Sequence, residues 1–154
     1  MAEGAPELIA IRHDDYHARY IGRTTDDRQF FLTTPFVRAV GAWLGREFLA
    51  LYFLNLDGQL LEARIEDLGV RQPSALPGNV DERHSATLLE SWLTELGTVT
   101  FCDIQVAPFR LVRFGTEFGL ISVPPDDDFD HWRVELQPGD YMGFYPPWDG
   151  DYDT

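Results

Sequence analysis

The sequence predicts an α+β fold: a single domain, residues 1–154, in which a twisted antiparallel sheet of about eight strands carries one main helix packed on it. Two observations lead to this. Just past the Asp57-Gly58 pair, Gln59–Glu66 alternates Leu61, Ala63 and Ile65 with Glu62, Arg64 and Glu66. That is the period of a strand with one face on a core and the other in water. Further on, Leu88, Leu89, Trp92, Leu93 and Leu96 recur at helical spacing, the stripe of a helix lying on an apolar surface.

The elements follow in order. Leu8–Arg12 and Arg19–Arg23 read as strands, and Thr24-Thr25-Asp26-Asp27 as a turn leading into Gln29–Thr34. Pro35 closes that strand. Val37–Gly45 reads as a connector or a short helix around Trp43. Glu47–Asn55, rich in Phe, Leu and Tyr, then pairs with Gln59–Glu66 across Asp57-Gly58, a residue pair that tolerates the positive φ of a hairpin turn. Pro73 and Pro77 mark Gly69–Gly78 as a loop. Asp81 is placed to cap a helix over Glu82–Leu96, with Gly97 just beyond its end. Strands resume at Thr100–Val106, Phe109–Phe114 and Glu117–Val123. After the acidic loop Pro124–Asp130 come His131–Leu136 and Tyr141–Tyr145.

The charge is lopsided. Twenty-six acids face 12 bases, a net charge of −14, and every base is arginine. A surface this negative repels phosphate backbones and anionic membrane faces, so neither nucleic acid nor membrane is expected as a direct partner. A protein partner, above all a basic one, would be drawn to it. No apolar run reaches the ~20 residues that span a bilayer. The N-terminal residues lack the pattern of a secretory signal, and Cys102 is the only cysteine. A cytoplasmic location is the expectation.

No reactive constellation stands out, so no catalytic, cofactor-binding or metal-binding residue is assigned and no cofactor is implied. His13 and His17 lie four apart, a spacing that serves zinc on a helix, but they fall between two strands. Asp126, Asp127, Asp128 and Asp130 read as a solvated turn. Asp149, Asp151 and Asp153 copy the opening of a calcium loop, yet Thr154 stands where that loop needs glycine. Cys102 reads as a small packed residue on the strand face opposite Phe101.

The segment PPWDGDYDT, residues 146–154, is read as a tail docked on the body. Pro146-Pro147 stiffens its approach. Trp148 and Tyr152 carry apolar faces too large to leave in water without reason. Asp149, Asp151 and Asp153 would face outward or meet arginines such as Arg23 or Arg28. These five residues, Trp148, Asp149, Asp151, Tyr152 and Asp153, form the expected latch or partner-binding element.

Three stretches together resemble small bacterial proteins that carry the label formate hydrogenlyase regulatory protein. They are Tyr20-Ile21-Gly22-Arg23 with Gln29-Phe30-Phe31, the Leu56-Asp57-Gly58 hairpin, and Pro147-Trp148-Asp149-Gly150 with Tyr152-Asp153-Thr154. The resemblance implies regulation through protein contacts and carries no catalytic motif. The expectation is therefore a small acidic, non-enzymatic, protein-binding regulatory protein of bacteria. Two alternatives stand beside it: an immunity protein neutralising a basic toxin, and a small metal-dependent hydrolase built on His13, His17 and the aspartate-rich loops.

Overall fold

A computed structural model describes residues 4–38, 45–70 and 80–154, the side chains of 70 and 80–84 excepted. The stretch around Trp43, the loop past residue 70 with Pro73 and Pro77, and the side chain of Asp81 lie outside the described residues.

Antiparallel strands and one helix make up the described structure, as the alternation and the lone stripe require. The sheet is not one surface of about eight strands. Thirteen strands are described, in three sheets. The largest contains β2 (Tyr20–Thr24), β3 (Gln29–Thr33), β4 (Phe36–Val37), β5 (Arg46–Leu54), β6 (Leu60–Val70) and β7 (Val99–Phe101). A five-stranded sheet runs β13-β12-β11-β10-β9, formed by Phe109–Arg113 (β9), Thr116–Val123 (β10), Arg133–Gln137 (β11), Gly143–Phe144 (β12) and Tyr152–Asp153 (β13). The third sheet pairs β1 (Ile9–Ile11) with β8 (Ile104–Val106).

The higher count has identifiable causes. The stretch expected as one strand, Thr100–Val106, breaks at Cys102-Asp103. Its first half pairs with β2 and its second half with β1. Pro35, which has no N–H to give, splits β3 from β4, although both share one register along β5. The Pro35 carbonyl still accepts from the Phe48 N–H at 2.9 Å. The tail supplies β13.

The middle of the large sheet, β3 and β5, is not wet on either side. Phe31, Ala50, Tyr52 and Leu54 point to a core shared with the other two sheets, through residues such as Ile11, Val106, Leu120 and Phe144. Phe30, Leu32, Leu49, Leu51 and Phe53 point the other way, under the helix. Hence β3 is buried throughout, and β5 from Phe48 onward. Two-sided burial explains why FLALYFL runs apolar without alternation. Alternation survives on β6, where Ala63 and Ile65 are partly covered and Glu62, Arg64 and Glu66 are exposed as expected, and on β11, where Val134 and Leu136 are buried and the residues between them are only partly covered.

The helix α1 spans Val80–Leu96. It begins two residues before the expected start, so Asp81 falls in its first turn instead of preceding it. Gly97 ends it at φ 73°, its N–H donating to the Thr94 carbonyl at 3.0 Å, a left-handed close that glycine adopts freely. Trp92 is 1% exposed, and burial of a side chain this size contributes on the order of 3 kcal/mol. The Arg64 guanidinium covers the ring 4.2 Å from its centroid and pairs with Glu95 at 2.8 Å.

One residue of the expected inward row is misplaced. Phe53 pairs with Glu62 but Leu54 with Leu60, so Leu61 is the extra residue of a bulge. Leu60, not Leu61, joins Ala63 and Ile65 against the core, and Leu61 is 54% exposed. Gly58 has a second role beyond its turn. A Cβ there would stand 2.7 Å from the Leu8 side chain and 2.8 Å from the Gln105 carbonyl, and its own carbonyl accepts from Ala107 N–H at 2.8 Å. Gln29, buried, then ties the sheets together. Its side chain donates to the Asn55 and Gln105 carbonyls at 2.9 and 2.8 Å and accepts from Gln105 N–H at 2.9 Å.

Among the described residues, no helix is long and apolar enough to cross a membrane.

Candidate functional site

The 146–154 segment lies along two of the sheets. Past Pro146-Pro147 the chain turns sharply: Trp148 sits at φ 67° and Gly150 at φ 104°, with Trp148 N–H donating to the Tyr145 carbonyl at 3.0 Å. The Trp148 carbonyl accepts from Ala10 N–H at 3.1 Å, which pins the turn to β1. Tyr152 and Asp153 then pair with Phe144 and Gly143. Gly150 is needed because Arg12 crosses directly over it: a Cβ would stand 3.0 Å from the Arg12 backbone nitrogen. Trp148 and Tyr152, both half-buried, pack against the main core, and the Tyr152 ring lies 5.7 Å from that of Phe144.

The tail's polar contacts fall on the segment after β1, not on the Arg19–Arg23 and Gln29–Thr34 hairpin. Arg12 meets Asp151 at 3.3 Å and Asp149 at 4.0 Å. Arg28, offered from sequence as a partner, pairs with Asp26 at 2.9 Å inside its own turn. Tyr152 Oη donates to Asp14 Oδ2 at 2.5 Å. Asp14 Oδ1 in turn accepts from the backbone N–H groups of Tyr16 and Ala18 at 2.9 and 3.0 Å. Burial pushes the Asp14 carboxyl up. The hydrogen bonds from Tyr152, Tyr16 and Ala18, with the nearby His17, outweigh that and hold it below the usual carboxylate range. Burial, with the hydrogen bond to Asp14 and its charge, pushes the Tyr152 phenol up to about 12.

The five expected residues are thus divided by the turn at Trp148–Gly150 and by the short strand β13. Trp148 and Tyr152 face the core. Asp151 borders an open cleft of about 510 Å³ that it shares with Arg12, His13, Asp14 and Tyr16. Asp149 is held beside it through Arg12. Asp153 lines a different cleft, of about 500 Å³, with Glu135 and Arg133. Tyr16, 65% exposed, is a site residue that sequence reasoning passed over. Its only signal was a tyrosine inside a polar turn.

The other sequence candidates have local roles. His13 Nε2 donates to the Arg19 carbonyl at 2.9 Å and its ring stacks on Phe101 at 5.8 Å. His17 lies among Tyr16, Tyr141 and Tyr152, at 3.8, 4.9 and 6.3 Å between ring centroids. Burial lowers its pKa, against the pull of Asp14. Asp126 caps its own loop, accepting from Asp128 and Phe129 N–H at 2.9 Å each. Cys102 is half-buried between the two halves of its broken strand, with its N–H donating to the Ile21 carbonyl at 3.2 Å. Among the described residues no group of three or more His, Cys, Asp or Glu side chains is placed to hold a metal ion.

No family model, no curated protein and no solved structure matches this chain.

Proposed function

We propose that this is a non-enzymatic regulatory protein of the bacterial cytoplasm that binds a basic protein partner through the face built around Asp149, Asp151 and Tyr16. One observation carries the reading. Two half-exposed carboxylates sit on a backbone held to both β1 and β12, next to an exposed tyrosine in an open cleft. Held charges lose little conformational freedom on binding, and tyrosine supplies contact area at low entropic cost. The net charge of −14 supports steering of a positive partner. The sequence resemblance to hydrogenlyase regulatory proteins supports regulation as the purpose.

The test is capture from bacterial lysate with the parent protein and with Asp149→Asn/Asp151→Asn. A specific partner should be retained by the parent, lost from the double variant, and released by raised salt. Capture of a secreted basic toxin would move the reading to immunity. Absence of a partner, combined with turnover of a small molecule that depends on His13 or His17, would overturn it.

A further inference from the structure

The second cleft, which shares Tyr145 and Thr154 with the first, has a different chemistry. Its floor is the outer face of three paired strands, where Glu135 is opposite Gly143 and Gly143 opposite Asp153. The missing side chain at Gly143 leaves a depression between two carboxylates: a Cβ there would meet only the Asp153 carbonyl, at 3.9 Å. Arg38, Asp140, Arg133 and His131 also line the space, with the rings of Phe129 and Tyr145.

These charges are held in place by the fold. Gly139, at φ 101°, lets the chain before β12 press on β4, since a Cβ would stand 2.9 Å from the Phe36 carbonyl. Asp140 follows at φ 47°, and Arg38 reaches the Gly139 carbonyl at 3.4 Å. Arg133, its side chain 15% exposed, is fixed by Glu135 at 3.3 Å, by Asp126 at 3.6 Å and by the Phe129 ring at 4.1 Å. Its Nη1 is buried and meets no acceptor among the described residues. His131 Nδ1 is also unsatisfied: Asp130 lies 3.4 Å away without hydrogen-bond geometry.

A doubly charged anion would meet the carboxyls of Glu135, Asp140 and Asp153. A simple cation would meet two guanidiniums. A ligand carrying both charges satisfies both sets, and the cleft's size suits a small molecule. We propose that this cleft binds a free α-amino acid with an apolar or aromatic side chain. Its carboxylate takes the arginine side, its ammonium lies over Gly143 between Glu135 and Asp153, and its side chain rests on Phe129 and Tyr145. Burial, and then Glu135, raise the Asp140 pKa despite Arg38 and Arg133.

The experiment is calorimetric titration with three probes: L-phenylalanine, N-acetyl-L-phenylalanine, which lacks the ammonium, and L-phenylalaninamide, which lacks the carboxylate. L-Phenylalanine should bind, and each blocked derivative should bind at least about tenfold more weakly. Asp153→Asn and Arg38→Met should each weaken binding of L-phenylalanine while the melting temperature stays unchanged. No binding by L-phenylalanine up to about 10 mM, or equal binding of all three probes, would overturn the proposal. Neither Asp149 nor Asp151 lines this cleft, so the Asp149→Asn/Asp151→Asn protein should bind L-phenylalanine normally even where it loses a protein partner.

Discussion

Single buried polar residues set the registry between sheets here. Gln29 donates to the Asn55 and Gln105 carbonyls and accepts from the Gln105 N–H, joining β3 to the turn after β5 and to β8. Gln29→Ala removes all three and strands the Gln105 N–H and two carbonyls, so a loss of about 3 kcal/mol is expected. Urea unfolding checks it, and a change under 1 kcal/mol would mean that water replaces the side chain without penalty. Tyr152 offers a pH-dependent case. Asp14 titrates below its ordinary range because the fold stabilises its charged form. Its contribution is therefore present at neutral pH and is lost as pH falls through and below the ordinary carboxylate value of about 4. Tyr152→Phe removes one of the hydrogen bonds responsible. The variant should be less stable than the parent by about 1 kcal/mol at pH 7, and the gap should close toward pH 3. A gap independent of pH would exclude the Asp14 carboxylate as its source.

Among the elements, the tail is the one whose worth can be measured by removal. It contributes a two-residue strand, the Ala10–Trp148 backbone bond, the Tyr152–Asp14 bond and the packing of two aromatic rings. Its ion pairs with Arg12 are half-exposed and add little. Deleting 146–154 should cost about 2 kcal/mol and lower the melting temperature by roughly 4–8 °C in a domain of this size. If the melting temperature holds while partner capture fails, the segment is a binding element and not a latch. The Trp and Tyr spacing and the proline pair were legible in this segment. Its partner arginine was not, because Arg12 is brought to it by the pairing of β1 with β8 and the packing of both on the main core.

For the molecule as a whole, the net charge of −14 sets a self-repulsion that no single ion pair offsets. The pairs at Arg12, Arg46 and Arg64 all have side chains substantially in water and are weakened by salt, but each is worth little. Screening the excess of like charge should dominate. The melting temperature is expected to rise between about 10 mM and about 500 mM sodium chloride. A fall would show that specific pairs outweigh the global repulsion.

The sequence by itself determined the helix and its buried stripe, the antiparallel hairpin at Asp57-Gly58, and the positions of most strands. These rest on turn chemistry and periodicity within about ten residues, which a linear reading contains. Only the tertiary structure decided that β3 and β5 are covered on both faces, that one expected strand breaks at Cys102-Asp103, and that Leu60 replaces Leu61 in the core. It also decided that Asp151 and Asp153 open onto different clefts. Contacts such as Tyr152–Asp14 and Asp151–Arg12 join residues 138 and 139 positions apart. No local period encodes such a pairing, because it arises only when three sheets pack on one core.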